Sequence, residues 1–309
     1  MRKMIAAAAI VFTAFILSGC SDSTELGNRA IIQAAAIDYD DGYKISALLF
    51  SSGGSGGDTI DASQENVIKV QGEGKTLSEA VDNISLIDGK KIYMCETKLL
   101  ILGGGFENID VSDALNTLYY DLRCSLNMPV CCADNAEMLT DLQFTEGVTA
   151  AEKPLSIIEN AHDLGASPKT TLLDLLADRA GGRSSLIPSF EQTKNGRGMT
   201  ASDDGKTAVL SGSRMLSDGK LTDSYDRAET AGLMLINGLS DKITLNYIHD
   251  DNEKTCEAYA IKVTADRYER SGGVKVTAKF RTRNGSGLSE DERRSALKTL
   301  TGIVENGIV

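Results

Sequence analysis

Residues 30–37 read AIIQAAAI, and residues 38–42, which follow directly, read DYDDG. The first run is almost entirely apolar, which is typical of a buried β-strand. The Asp41-Gly42 pair is a strong signal for a hairpin turn, and residues 43–50 (YKISALLF) supply a returning strand. The sequence therefore predicts a β-hairpin over residues 29–50.

Strands and helices alternate after this hairpin. Thr76-Leu77-Ser78-Glu79 is a capping box that predicts a helix over residues 77–86. Apolar residues at 111, 114, 115, 118, 119 and 122 follow helical spacing, which indicates a helix with one buried face. Further strands are predicted at 67–71, 98–102 and 128–133, and further helices at 133–142, 154–164 and 171–180. This alternation indicates a mixed α/β N-terminal domain.

The second half of the chain is predicted to be rich in β-strands. Residues 192–205 are rich in Gly, Asn, Asp and Ser and are interpreted as a linker. A tight hairpin is expected between 207–212 and 213–216, short strands at 220–221 and 233–236, and a three-stranded meander at 243–248, 256–264 and 274–282. A second capping box, Ser289 to Glu292, begins a last helix that ends near Val304.

These elements together predict an α+β fold, in which antiparallel strands and a terminal helix follow the mixed α/β part. The expected domains are a signal peptide over 1–20, a mixed α/β domain over 21–195, a linker and small β module over 196–240, and a C-terminal β-meander with a helix over 241–309.

Residues 1–20 have the pattern of a lipoprotein signal peptide. Arg2 and Lys3 precede an apolar run over 4–17, which is shorter than the roughly 20 residues that a membrane-spanning helix needs. Leu17-Ser18-Gly19-Cys20 resembles a bacterial lipobox, in which the cysteine thiol takes a diacylglycerol before cleavage. We expect Cys20 to be lipidated and to anchor the chain. A soluble secreted protein with a chance cysteine is the alternative.

The charge of the chain bears on what it binds. The 309 residues hold 32 Lys and Arg against 44 Asp and Glu. Removing the signal peptide leaves 30 basic residues and a net charge of −14. Such a chain is poorly suited to nucleic acid or to anionic lipid headgroups, so membrane attachment is expected to come from the lipid.

The cysteines and histidines do not form a recognisable metal or catalytic motif. No C-x-x-C is present, and His162 and His249 are each isolated and interpreted as surface residues. The cysteines after Cys20 are interpreted as buried small apolar residues, with one disulfide left open; they are Cys95, Cys124, Cys131, Cys132 and Cys256.

Three partial motif matches are better explained by local structure. Residues 53–57 (GGSGG) fit G-x-S-x-G, but no helical pattern follows them. Gly74-Lys75-Thr76 lacks the first glycine of a P-loop, since residue 69 is Lys69. Residues 250–253 (DDNE) lack the spacing of a calcium loop and indicate a polar turn. We expect no catalytic residue, no metal and no cofactor, and therefore a binding or scaffold subunit.

Several segments, in order, resemble the C-subunit lipoproteins of spore nutrient-germinant receptors, the Ger(x)C family. After the lipidated cysteine that family has Trp-Asp-x-x-Glu-Leu, and this chain keeps Asp22, Glu25 and Leu26 but has Ser21 for the tryptophan. Further matches lie in the strand that leads to Asp38, the G-x-T-x-x-E-A helix start at 74–80, the apolar strand at 98–103, and the segments at 133–139, 205–210 and 229–232.

Two departures accompany the resemblance. Only Arg123 remains of an Arg-rich turn, and the sequence ends at Val309, where family members usually continue, so we expect an abbreviated C-terminal domain.

The resemblance implies a non-enzymatic lipoprotein on the outer face of the cytoplasmic (inner spore) membrane. It would act with multi-spanning A and B subunits in nutrient-triggered spore germination, and its ligand-binding residues stay open. The alternative is a surface substrate-binding lipoprotein of a transporter, which would show two doubly wound lobes around a cleft. A lipid-anchored hydrolase is the third hypothesis.

Overall fold

The predicted hairpin is confirmed in the computed structural model, which describes residues 29–50, 67–141, 151–194, 206–266, 273–281 and 287–307. Strand β1 (Arg29–Tyr39) pairs antiparallel with β2 (Tyr43–Phe50), and Asp41 adopts a φ of 56° in the turn between them. Strand β3 (Val67–Gly74) extends the hairpin by pairing antiparallel with β2.

Five parallel strands, of which β1 is the first, form the centre of the same sheet. Strand β4 (Lys91–Tyr93) pairs parallel with residues 29–31 of β1, and β5 (Leu99–Leu102) pairs parallel with residues 34–37 of β1. Strand β6 (Val130–Ala133) pairs parallel with β5, and β7 (Ser185–Lys194) pairs parallel with β6. Antiparallel strands β8 (Lys206–Ser217) and β9 (Lys220–Asp226) complete it. Within the described residues, nine strands thus make one sheet in the order β3-β2-β1-β5-β6-β7-β8-β9, with β4 beside β1.

Apolar side chains cover both faces of this sheet. Successive residues of β1 alternate between two clusters: Ala35 and Ile37 belong to one, and Ala34 and Ala36 to the other. A strand that is buried on both faces carries a nearly continuous apolar run, as residues 30–37 do. The covering elements are α1 (Leu77–Asp88), α2 (Ser112–Asn116), α3 (Glu137–Asp141), α4 (Glu152–Asp163) and α5 (Leu172–Ala180).

The C-terminal part forms a second sheet, which confirms the predicted meander. Strands β10 (Lys242–His249), β11 (Asn252–Asp266) and β12 (Gly273–Arg281) pair antiparallel in sequence order. Helices α6 (Arg227–Ile236) and α7 (Glu290–Asn306) pack together and share one apolar cluster with this sheet. The predicted capping box of α7 is present, with the Ser289 hydroxyl accepting the N–H of Glu292 at 3.2 Å.

Two local predictions in the second half are wrong. Residues 207–216 form the single strand β8 rather than a hairpin, and the chain reverses instead at Asp218 and Gly219, whose φ values are 48° and 79°. Residues 233–236 lie in helix α6 rather than in a strand. The Asp226 carboxylate starts this helix, because it accepts the backbone N–H groups of residues 228 and 229.

The helix predicted over 111–122 is interrupted. Its first positions are buried as expected, but residues Thr117–Asp121 form a π-helical turn, and Tyr119 is 37% exposed. A π-turn holds more residues than an α-turn, so Tyr119 within it rotates toward solvent, whereas Leu122 after it still packs against the apolar cluster of this face.

The expected linker and small β module map differently onto the structure. Residues 192–194 belong to β7, and residues 195–205 lie outside the described ranges. Strands β8 and β9, which fall in the expected 196–240 module, extend the large sheet. The domain boundaries themselves stay a prediction.

Candidate functional site

The residue with the most specific expected chemistry, Cys20, lies outside the described residues, as does the 53–57 motif. Lipidation of Cys20 therefore stays a prediction. The large sheet lies within the described residues, and open α/β sheets bind ligands in a predictable place.

The large sheet has a topological switch point between β1 and β5. From β1 the chain continues to β2 on one side, whereas from β5 it continues to β6 on the other. In open α/β sheets the crevice outside the carboxyl ends of two such strands is the usual ligand site. Here those ends carry Asp38 and the three glycines 103–105.

The chain's own carboxylate fills this crevice. Asp38 Oδ1 accepts the backbone N–H of Gly105 at 2.9 Å and that of Tyr39 at 2.8 Å. A Cβ on Gly103 would lie 2.2 Å from the Asp38 carboxyl group, and one on Gly105 would lie 2.0 Å from the Tyr39 carbonyl oxygen. The glycine turn is therefore packed directly onto the end of β1, and the Asp38 carboxylate lies between the two strand ends.

A buried arginine ties the neighbouring elements together. The side chain of Arg214, on β8, is only 5% exposed. Its Nη2 donates to Glu107 at 2.5 Å and to the Thr222 carbonyl at 3.2 Å, and its Nη1 donates to Asp134 at 3.3 Å. The Asp134 carbonyl in turn accepts the N–H of Gly104 at 3.2 Å.

Sequence reasoning missed this arginine, because its acidic partners lie 80 and 107 residues away along the chain. The only local signal was a charged residue inside a strand. The resulting ion-pair network connects β8 to the segments that follow β5 and β6.

The residues of the incomplete P-loop match serve helix capping instead. The Thr76 hydroxyl accepts the N–H of Glu79 at 3.2 Å, and the Glu79 carboxylate accepts the N–H of Lys75 at 2.8 Å. The preceding Gly74 lets the helix approach β3 closely, since a Cβ there would lie 2.5 Å from the backbone nitrogen of Ala80. The capping interpretation is confirmed.

The two histidines differ in environment. His162 is half-buried, with Nδ1 3.0 Å from the Ser167 carbonyl oxygen. His249 is also only partly exposed, so the surface interpretation holds fully for neither histidine: its side chain is 16% exposed, with Nδ1 3.4 Å from Ser295 Oγ and Nε2 3.5 Å from Asp250 Oδ2.

The Ser295, His249 and Asp250 side chains form the grouping that serine hydrolases use, but not its geometry. Both contacts are long, and Asp250 is 86% exposed, whereas a catalytic triad holds its histidine with a buried acid. The grouping therefore joins the end of β10 to α7 and does not activate a nucleophile.

Most of the cysteines behave as buried apolar side chains, as predicted. Burial raises the pKa of the Cys124 and Cys132 thiols to about 12 and that of Cys256 to about 11, and it raises the pKa of Cys131 as well. Because the thiolate is the reactive form, these groups are inert near neutral pH. The five cysteines that the structure describes are free thiols, and Cys95 is half-buried.

A shallow, open cleft lies between the end of α5 and the turn that joins β8 to β9. It is lined by two arginines, but each is already paired: Arg179 with Asp110 at 2.6 Å and Arg183 with Asp178 at 2.8 Å. Both guanidinium charges are thus balanced within the chain.

The described part of the chain contains neither a metal-binding cluster nor a membrane-spanning helix. No group of three His, Cys, Asp or Glu residues there could hold a metal ion. In the same ranges, no helix has the length and apolar character that crossing a membrane requires.

Comparison with known proteins gives one family. Residues 22–192, more than half of the chain, match the family model described as spore germination protein N-terminal domain. A solved structure described as the crystal structure of the GerBC protein is similar at 19% identity, covering 89% of this chain and 80% of that chain with a TM-score of 0.47. No curated protein sequence matches the chain significantly.

Proposed function

The chain belongs to the spore germination protein family, that of the Ger(x)C germinant-receptor C subunits. From this premise we propose that it is a lipid-anchored receptor subunit. It would act with multi-spanning A and B subunits in nutrient-triggered germination. The observation that carries the proposal is the family match, which begins at Asp22, two residues after Cys20. The family domain would therefore follow the lipid almost directly.

The proposed location is the outer face of the cytoplasmic (inner spore) membrane. The mature chain has a net charge of −14, which disfavours purely electrostatic binding to an anionic bilayer. The acyl chains on Cys20 would supply the attachment, since two or more chains anchor a protein stably.

The geometry at the carboxyl ends of β1 and β5 supports a role in protein contacts rather than in catalysis. The crevice where open α/β sheets bind ligands is filled by Asp38. The surroundings of this crevice are held by Arg214, whose charge is balanced by Glu107 and Asp134. We therefore propose a non-enzymatic subunit without a cofactor.

The transporter alternative receives no support from the topology. A substrate-binding lipoprotein would have two doubly wound lobes around a cleft. In the ranges that the structure describes, one mixed sheet is followed by a three-stranded antiparallel sheet.

Deletion and anchor variants test the proposal together. Spores that lack the gene, in a strain without paralogues, should lose nutrient-triggered germination and recover it on complementation. The wild-type protein should sediment with membranes, whereas the Cys20→Ala variant should move to the soluble fraction. Cys95→Ala, which changes a half-buried cysteine, is the matched control and should stay with membranes. Normal nutrient germination of the deletion strain would contradict the proposed function.

A further inference from the structure

The end of the large sheet where β1 begins carries exposed apolar side chains. Leu86 and Ile87, in the last turn of α1, are 81% and 74% exposed. Helix α1 lies against the π-helical turn, where Tyr120 is 69% exposed. Two adjacent exposed apolar residues are more than the scattered single residues of an ordinary surface, and such patches mark interaction sites.

Basic residues flank this patch. Lys90 and Lys91 are exposed, and neither is within ion-pair distance of an acid among the residues that the structure describes. Lys91 pairs in register with Arg29, whose guanidinium lies 5.1 Å from the centre of the Tyr93 ring.

Acids also occur on these elements. They are spread over α1, the turn after β4 and the π-helical turn, whereas the lysines are adjacent; the acids are Asp82, Asp88, Glu96 and Asp121. Lys90 and Lys91 are thus an adjacent, exposed basic pair that follows the exposed apolar pair in a chain with a net charge of −12.

The length of chain between Cys20 and Arg29 places this end close to the expected anchor. Nine residues reach at most about 30 Å when fully extended. Strand β1 then runs away from Arg29 for 11 residues, which spans about 36 Å. Because β1 begins at Arg29, the patch at Leu86 and Ile87 is at the end of the sheet that the chain reaches first after Cys20, and the crevice at Asp38 is at the far end.

We propose that this end of the sheet rests on the membrane, with Leu86 and Ile87 inserted among the lipids and Lys90 and Lys91 against anionic headgroups. The proposal rests on the lipid anchoring proposed above, and it adds an orientation to it. Amphipathic surface elements bury their apolar side chains about 5–10 Å into the boundary between headgroups and acyl chains. Adjacent basic residues are attracted to the negative surface potential of anionic lipids.

The absence of tryptophan from the chain permits a direct test. An Ile87→Trp variant of the full lipid-modified protein, reconstituted in vesicles of phosphatidylglycerol and phosphatidylcholine, carries a single reporter. We expect its emission to shift to the blue and to be largely quenched by brominated acyl chains. The matched control is Ile248→Trp, at a position 71% exposed on β10, where neither change is expected. Leu86→Trp is a second reporter should the first variant fold poorly.

The outcomes separate this inference from the proposed function. If the protein sediments with vesicles but the tryptophan at 87 is quenched no more than the one at 248, the orientation is wrong and the anchoring stands. If emission at 87 changes only when the multi-spanning subunits are added, the patch binds protein and the inference is overturned. If the protein does not sediment, the anchoring fails and the orientation falls with it.

A charge variant tests the two lysines. Combining Lys90→Glu and Lys91→Glu with Ile87→Trp should lower the quenching on anionic vesicles to the level seen on neutral ones. The matched control combines Lys275→Glu and Lys279→Glu with Ile87→Trp. Both lysines are exposed on β12, and this control should leave the quenching unchanged. Equal quenching in both double variants would overturn the role of the lysines.

Discussion

The carboxylate of Asp38 accepts the backbone N–H of Gly105 at 2.9 Å, across 67 positions of the chain. The same oxygen accepts the N–H of Tyr39 at 2.8 Å. One side chain thus satisfies two backbone donors at the point where β1 and β5 end. It converts the usual ligand crevice of an open sheet into a structural junction.

Asp38→Ala should therefore lower the free energy of unfolding by about 2 kcal/mol, because donors removed from water lose their acceptor. Urea denaturation measures the change. The matched control is Asp40→Ala, whose partner Lys44 lies 3.0 Å away in an exposed pair. An exposed pair of this kind contributes at most about 1 kcal/mol. Equal losses in the two variants would show that Asp38 has no special structural role.

The two acidic partners of Arg214 should differ in importance. Glu107 lies 2.5 Å from Nη2 and is 49% exposed, whereas Asp134 lies 3.3 Å from Nη1 and is 92% exposed. We expect Glu107→Gln to reduce the free energy of unfolding by about 1–2 kcal/mol, since it removes a charge-assisted bond from a buried guanidinium. Asp134→Asn should change it by less than about 0.5 kcal/mol. The reverse order, measured by urea denaturation, would be incompatible with this geometry.

Two glycines of the C-terminal helices should respond in opposite directions to alanine. A Cβ on Gly232 of α6 would lie 2.3 Å from the Ile303 carbonyl oxygen, so Gly232→Ala should force the two helices apart and destabilise the protein. A Cβ on Gly302 of α7 meets nothing within 4 Å, so Gly302→Ala should stabilise by up to about 1 kcal/mol through helix propensity. Thermal unfolding compares them, and a loss of stability in both would argue against this packing of α6 on α7.

Elements with a local signal were predictable from sequence. The hairpin after β1 has its Asp41-Gly42 turn, α7 has its capping box, and the meander has alternating polarity. Helix α6 was missed because the apolar run at 233–236 is too short for periodicity to distinguish strand from helix. The capping residues Asp226 and Glu229 held the signal that would have corrected this interpretation.

Contacts between distant segments were not predictable in the same way. Asp38 was noted only as the residue that ends a strand, and nothing in the linear order joins it to the glycines at 103–105. The partners of Arg214 are equally remote. The π-helical turn at 117–121 preserves helical composition, so its rotation of Tyr119 toward solvent has no signature in sequence spacing.

The cysteines should react in a defined order. Cys95 is half-buried, whereas the other described cysteines are buried. Burial raises the pKa of Cys124 and Cys132 to about 12, so little thiolate exists near neutral pH. Iodoacetamide should therefore modify Cys95 in the native protein and the buried thiols only in urea. Peptide mass mapping identifies the sites, and native modification of Cys132 would contradict its burial.

The Glu292 carboxyl group, in the first turn of α7, should make the free energy of unfolding fall as the pH is lowered into the acid range. The Lys254 ammonium, followed by the backbone and hydroxyl of Ser289, lowers the pKa of Glu292 from an ordinary 4.5 to about 2. A carboxyl group with a depressed pKa in the folded state stabilises the fold above its unfolded pKa, and this contribution is lost as pH falls through the folded value. The window is thus pH 4.5 down to about 2.

Glu292→Gln should reduce the fall in the urea midpoint across this window, because it removes the group whose protonation weakens the contact between α7 and β11. Glu290→Gln, in the same first turn but without a bond to Lys254, is the matched control and should keep the wild-type slope. A slope that is equal in wild type and Glu292→Gln would mean that the Glu292–Lys254 pair does not persist in solution. The prediction thus tests whether the terminal helix is held to the second sheet by this contact.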